Sequence, residues 1–139
     1  MNRCRSAILV CLVCLSCTEP PLPVWAPAKQ AAGDWQWVRS EDVKTGAIHT
    51  PSSTGFVATL RIVAESPRAG RYTYARAGSP SVAGTFTIGS EDAPGNDFIT
   101  IDTAIDFLSR NAWIAAGQDS LRLQGVFELG FNSTYARVR

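Results

Sequence analysis

The sequence predicts an all-β domain, an antiparallel up-and-down barrel of about eight short strands, on three observations. Apolar and polar residues alternate with a period of two in several segments, which is typical of half-buried strands. Turn residues, mainly glycine and proline, separate these segments at roughly ten-residue spacing. No window places apolar residues at helical spacing over three turns. A β-sandwich is the alternative, but closure into a barrel removes the exposed strand edges that invite pairing, so we expect a monomer.

The strands follow in order, separated by turn-forming segments. A long polar loop, Glu41–Thr54, comes after the first strand, and Ile105–Arg110 could instead form one helical turn. Gly117–Ser120 is a hairpin signal, and Leu121 and Leu123 on one face mark the strand after it. The other predicted strands are Trp35–Ser40, Phe56–Ala64, Arg71–Ala77, Val82–Ile88, Phe98–Asp102, Ala104–Leu108, Ala112–Ala116 and Ser133–Val138.

The first strand carries two tryptophans, Trp35 and Trp37, directly after a segment rich in proline and alanine. Because alternate side chains of a strand share a face, both indoles point to the same side. Two large rings on one side indicate that the core begins here. We therefore divide the chain into a signal peptide at 1–16, a tether at 17–32 and a barrel domain at 33–139.

The formal charge excludes a nucleic-acid partner. The chain has 13 Lys and Arg against 12 Asp and Glu. Arg3 and Arg5 belong to the leader, so the remainder is close to neutral and its basic residues are scattered. Nucleic-acid binding requires a basic patch or stripe.

The first residues are typical of a secretory signal. Arg3 and Arg5 precede the apolar run Ala7–Leu15, whose roughly nine residues are too few to span a bilayer core. The spacing of Cys11, Cys14 and Cys17 imitates a metal-cluster motif. The residues between them are apolar or small and offer no polar support for a metal, and Cys4 also lies in this segment, so we predict no disulfide and no metal.

Cys14-Leu15-Ser16-Cys17 resembles the lipobox of bacterial lipoproteins. The resemblance implies that Cys17 is lipidated, with palmitate among its acyl chains, and becomes the first residue of the processed protein. Several acyl chains would hold the protein on a membrane of the cell envelope, expected to be the outer membrane. The alternative is ordinary cleavage after Ala28 in Ala26-Pro27-Ala28. In either case, the proline-rich tether at 17–32 predicts an extended, semi-rigid spacer.

Four segments of the domain resemble the small lipocalin-like lipoproteins common in Bacteroidota. They are Gly33-Asp34-Trp35-Gln36-Trp37-Val38, Pro51-Ser52-Ser53-Thr54-Gly55, Gly117-Gln118-Asp119-Ser120-Leu121-Arg122-Leu123 and Thr134-Tyr135-Ala136-Arg137-Val138. The resemblance implies a barrel that binds a small apolar molecule, with Arg137 packed on Trp35 and the barrel closed beside Gly33. Alternatively, Ala136 and Val138 face inward and Arg137 is solvated.

The sequence shows little that indicates catalysis, and we predict no enzyme and no cofactor. His49 is the only histidine and lies in a polar loop without a partner for acid–base chemistry or metal binding. The aromatic side chains suggest binding instead, because they either line a ligand pocket or fill the core. The candidate ligand-binding residues are Trp37, Phe56, Tyr72, Tyr74 and Phe86. Two functions remain open, a lipid-anchored carrier or sensor of a small apolar molecule and an envelope protein whose outer surface meets a partner.

Overall fold

As predicted, eight antiparallel strands close into a barrel; a ninth short strand, which was not predicted, lies beside it. The computed structural model describes residues 26–90, 96–103, 105–126 and 130–139. The elements are α1 (Pro27–Ala31), β1 (Gly33–Asp42), β2 (Ile48–His49), α2 (Pro51–Thr54), β3 (Ala58–Ala64), β4 (Ala69–Arg76), β5 (Val82–Ser90), β6 (Asp97–Ile101), β7 (Asn111–Ala116), β8 (Ser120–Gly125) and β9 (Phe131–Arg137). From β3 to β9, each strand pairs with the next along the chain, whereas β2 pairs with β1. β1 also pairs with β3 and with β9, and the pairing with β9 closes the barrel.

The predicted alternation places the core inside the barrel. In β3, Leu60 and Ile62 are buried whereas Arg61 is exposed. Leu60 pairs with Tyr74 of β4, so large apolar side chains from adjacent strands meet on the inner face. The interior is therefore filled from all sides of the closed sheet.

A bulge in β1 changes which residues point inward. The register of β1 against β9 shifts between Trp37 and Arg39, and a bulge inserts a residue that breaks the alternation. Trp35 and Trp37 are buried as predicted, but the next buried residue is Ser40. The bulge thus brings a hydroxyl into the barrel, where strict alternation would place Arg39.

Two segments differ from their predicted structure. The predicted loop Glu41–Thr54 contains β2 and α2, and α2 forms because Thr50 and Ser53 cap each other's backbone N–H groups. The predicted strand Ala104–Leu108 is wrong, since Ile105 and Leu108 form an isolated bridge around a tight turn; residue 104 lies outside the described part. Phe56 precedes β3 but packs against the core.

The barrel unit begins before Gly33. Pro27 starts α1 at a position where its missing N–H costs no hydrogen bond, and Ala28 and Ala31 are fully buried against the barrel. The extended spacer predicted for 17–32 therefore does not continue through α1. The signal peptide, Cys17 and the rest of the tether lie outside the described residues. No helix in the described ranges has the length and hydropathy needed to cross a membrane.

Candidate functional site

The centre of the barrel is packed almost solid. Of the predicted ligand-binding residues, Tyr72, Tyr74 and Phe86 are 3%, 4% and 2% exposed. The cavity between Tyr72, Phe86 and the neighbouring aliphatic side chains measures about 10 Å³, which is about the room that one water requires. These three residues therefore act as core in this conformation.

One end of the barrel, here called the base, is closed by Trp35 and Arg137. The Cζ atom of Arg137 lies 4.1 Å from the centre of the Trp35 ring, in the range of a cation–π contact. Its guanidinium donates to the backbone oxygens of Gln118 at 2.7 Å and Ala32 at 3.0 Å. The Trp35 indole N–H donates to the oxygen of Ala31 at 2.8 Å. Of the two arrangements open from the sequence, Arg137 packed on Trp35 is the one observed.

Gly33 leaves the space that this closure requires. Its φ of +141° is rare for residues with a side chain, and a Cβ there would lie 2.5 Å from Nη1 of Arg137. The three residues predicted for the base, Gly33, Trp35 and Arg137, are thus brought together. Trp35 and Arg137 bind the end of α1 to the barrel through their hydrogen bonds to Ala31 and Ala32.

The opposite end, here called the mouth, gathers five aromatic rings among the described residues. Phe107 stacks on Trp37 with ring centres 5.2 Å apart and on Phe56 at 5.9 Å. The centre of the His49 ring lies 4.9 Å from that of Phe107, and the Phe131 ring contacts Phe107 edge-on with centres 5.1 Å apart. We call Trp37, His49, Phe56 and Phe131 the aromatic box, and Phe107 occupies it.

Phe107 adopts an unusual backbone conformation to reach the box. Its φ is +57°, and it is the non-glycine residue with positive φ among the described residues. This conformation is uncommon for a bulky side chain and costs of order 1–3 kcal/mol. It arises because Ile105 and Leu108 close a tight turn, in which the N–H of Leu108 donates to the oxygen of Ile105 at 3.1 Å. The strain is concentrated at the residue that fills the box.

A chain of buried hydroxyls joins the wall of the box to this turn. The indole N–H of Trp37 donates to Ser40 Oγ at 2.8 Å, and the hydroxyl of Ser133 donates to the backbone oxygen of Phe107. Ser40 Oγ and Ser133 Oγ lie 2.7 Å apart. Because an indole only donates and a carbonyl only accepts, Ser40 must donate to Ser133. The chain is therefore directed from Trp37 to Phe107.

The guanidinium of Arg76 lies at the rim of the mouth. The Cζ atom of Arg76 lies 4.9 Å from the centre of the Phe56 ring. Nη1 of Arg76 contacts the Asp106 carboxylate at 2.5 Å, and Nε donates to Ser79 Oγ at 3.1 Å. An open depression of about 460 Å³ lies beside these groups; it is lined by Phe56, Arg76, Ile105, Asp106, Phe107 and Phe131.

Asp102 fastens the start of the loop that crosses the mouth. Its carboxylate accepts hydrogen bonds from the N–H and hydroxyl of Thr85 at 2.8 and 3.0 Å and from the Tyr72 hydroxyl at 3.0 Å. The Thr85 N–H is the main cause that lowers the pKa of Asp102. Gly84 leaves room for this carboxylate, since a Cβ there would overlap its oxygen.

The side chains at the mouth are of the kinds that bind small molecules. Stacked rings provide surface for a planar apolar group, and Arg76 provides a positive charge at its edge. Burial raises the pKa of Tyr74 and of the fully buried Tyr135, so both phenols stay protonated at neutral pH. Within the described ranges, no three His, Cys, Asp or Glu side chains converge as metal ligands.

The structure divides the predicted ligand-binding residues. Trp37 and Phe56 stack at the mouth with ring centres 5.3 Å apart. The other three, Tyr72, Tyr74 and Phe86, are buried in the barrel. Sequence reasoning assigned no binding role to Phe107, Phe131 or Arg76 and placed His49 in a polar loop without a partner. The signal that existed was the three apolar residues of Ile105-Asp106-Phe107-Leu108, which indicate a partly buried segment but not its position in the fold.

Comparison of the chain with protein-family models, with curated proteins and with solved structures found no match. The fold and the site geometry therefore define the class. The chain is an all-β protein with a closed eight-stranded antiparallel barrel, compatible with a lipocalin-like fold.

Proposed function

We propose that the chain is a lipid-anchored, lipocalin-like protein of the bacterial cell envelope that binds a small apolar molecule at the mouth of its barrel. The lipobox-like residues around Cys17 and the apolar leader support the anchor. The closed barrel and the four motif segments support the lipocalin-like type. The expected location is the outer membrane.

The observation that favours the mouth is the contrast between the filled interior of the barrel and its mouth. The interior offers about 10 Å³, whereas the mouth carries the aromatic box beside an open depression of about 460 Å³. Depressions of about 470 and 640 Å³ lie elsewhere on the surface, so the aromatic lining and not the volume favours the mouth. Small-molecule sites are typically concave and lined by aromatic side chains with few polar groups. A carrier built on this barrel would therefore use its mouth rather than its centre.

The anchor is tested by the intact mass of protein extracted from membranes of a bacterial host. The expected mass starts at Cys17 and includes acyl chains, and a Cys17→Ser variant loses them. A soluble product without acyl chains, cleaved after Ala28, would contradict the anchor.

The binding function is tested with N-phenylnaphthylamine, an apolar dye whose fluorescence rises on transfer from water. The expected result is saturable binding that Phe56→Ala weakens about tenfold, corresponding to the loss of one ring contact of about 1.4 kcal/mol. Phe98→Ala is the matched control, because Phe98 packs edge-on against Trp113 at 5.4 Å and lies on the outer side of β6. Equal weakening by both variants would contradict a site at the mouth.

The second candidate function is an envelope interaction protein that binds no small molecule. The filled interior favours this candidate, because a structural barrel needs no cavity. It predicts that the dye does not bind in a saturable manner to the wild-type chain or to any mouth variant.

A further inference from the structure

Two consecutive residues of the β6–β7 loop occupy two adjacent positions at the mouth. Phe107 fills the aromatic box with its ring, stacked on Trp37 at an interplanar angle of 13°. Asp106 presents its carboxylate to Arg76 at 2.5 Å. Phe56 borders both positions, since it contacts the Phe107 ring and lies beneath the Arg76 guanidinium. One short segment thus offers an aromatic ring and a carboxylate to a matching pair of sites.

We propose that the aromatic box and Arg76 together bind a small aromatic carboxylate, and that Asp106 and Phe107 occupy this site as an internal mimic in the closed state. This inference rests on the proposed binding function and names the class of ligand. The ligand ring replaces Phe107 in its contacts with both Trp37 and Phe56. The ligand carboxylate replaces Asp106 on Arg76.

The closed state is built so that the tip of the loop can leave while its ends stay. The tip is strained at Phe107, where φ is +57°. The ion pair that holds Asp106 is partly solvated, with side-chain exposures of 33% for Arg76 and 60% for Asp106, and such pairs contribute little to stability. By contrast, Asp102 is held by Thr85 and Tyr72, and Leu108 is only 5% exposed. Displacement of the tip gives up the hydrogen bond from Ser133 to the Phe107 oxygen, but it does not require the whole loop to detach.

The geometry of Arg76 selects for an anion. Its Nε and Nη2 atoms donate to Ser79 Oγ at 3.1 and 2.8 Å, which orients the guanidinium and leaves Nη1 facing Asp106. An arginine oriented in this way recognises a carboxylate through charged hydrogen bonds. An uncharged aromatic molecule would gain only the stacking contacts and would leave Arg76 without its anion.

The internal mimic lowers the apparent affinity, because a ligand binds only the fraction of molecules whose box is vacant. Removing the mimic should therefore tighten binding. Phe107→Gly empties the box and also suits the positive φ, so the turn keeps its backbone conformation. Asp106→Asn leaves the ring in place and removes only the competing charge.

The test measures binding of phenylbutyrate and of its uncharged match phenylbutanol by calorimetry, with folding checked by circular dichroism. We expect Phe107→Gly to bind phenylbutyrate at least about tenfold more tightly than the wild type. The preference for the acid over the alcohol should be at least about fivefold and should disappear when Arg76→Gln is added. Asp106→Asn should strengthen binding of the acid more than that of the alcohol, and this variant decides the question if Phe107→Gly does not fold.

Two results would overturn the inference. One is that Phe107→Gly binds phenylbutyrate no more tightly than the wild type. The other is that the acid preference is absent or survives Arg76→Gln. If N-phenylnaphthylamine still binds and depends on Phe56 in that case, the ligand class is wrong and the proposed function stands. If neither the dye nor the acid binds to wild type or Phe107→Gly, the proposed function itself is wrong.

Discussion

Replacing Arg137 tests how the base of the barrel is held together. The side chain is half-buried, and its Cζ atom lies 4.1 Å from the Trp35 ring centre. It also links β9 to two other chain segments, because it donates to the backbone oxygen of Gln118 and to those of Gln30 and Ala32 at the end of α1. Arg137→Ala removes the cation–π contact and all of these hydrogen bonds at once.

The expected loss of stability is about 2–3 kcal/mol. The cation–π contact contributes about 1–2 kcal/mol where it is partly desolvated. The hydrogen bonds add about 1 kcal/mol in total, because the released carbonyls lie near the surface and can bind water. Arg137→Lys keeps the charge but loses the planar guanidinium, so its loss of stability should be about half of that for Arg137→Ala. The melting temperature of Arg137→Ala should fall by about 8–24 °C, given roughly 4–8 °C per kcal/mol for a domain near 100 residues.

The assay is urea unfolding followed by tryptophan fluorescence, with the melting temperature from circular dichroism. Arg139→Ala is the matched control, because the Arg139–Asp119 pair spans 2.9 Å but its side chains are 82% and 61% exposed. That pair is expected to contribute less than about 1 kcal/mol. If Arg137→Ala is no less stable than Arg139→Ala, the base is not held by Arg137 and this account of barrel closure is refuted.

Three further predictions concern the mouth and the side wall. Ser133→Ala interrupts the hydroxyl chain and leaves Phe107 oxygen unpaired, so urea unfolding should show a loss of about 1–3 kcal/mol; an unchanged midpoint would argue against the chain. Gly84→Ala should cost about 1–3 kcal/mol by overlap with Asp102. Gly89→Ala, whose Cβ would find its nearest atom at 3.9 Å, should change stability by less than about 0.5 kcal/mol, and equal effects would contradict the packing argument. Since the pKa of Asp102 is lowered from 3.8, its contribution is present above about pH 4 and is lost as the pH falls through the lowered value. Asp102→Asn should therefore flatten the acid limb of a stability–pH curve, and an unaltered limb would count against the carboxylate's role.

The parts of the fold that the sequence predicted depend on local patterns. Alternation identified the core face of β3, where Leu60 and Ile62 are buried. The two tryptophans of β1 both point inward, because the strand is regular as far as Trp37. The resemblance to lipocalin-like proteins implied the contact of Arg137 with Trp35, which no local pattern would have shown.

The parts that could not be predicted depend on long-range packing. The bulge after Trp37 turns Ser40 inward, and nothing in the neighbouring residues indicates a bulge. Phe107 enters the box only because its loop folds across the mouth to meet Trp37, seventy positions earlier in the chain. Its alternating neighbours favoured a strand, but the tertiary contacts impose a turn with positive φ. The helix α1 was missed because proline and small residues are equally typical of a spacer.

The most direct test of the central claim is a nuclear magnetic resonance titration of the labelled protein with phenylbutyrate. If the ligand binds at the mouth, the largest shift changes fall on the side chains of Phe56, Phe107 and Phe131 and on the Nε–H of Arg76. The methyl groups of Ile99 and Leu123, which line the small interior cavity, should then move little. If the largest changes fall on those interior methyl groups instead, the ligand enters the barrel centre and the assignment of the site to the mouth is wrong.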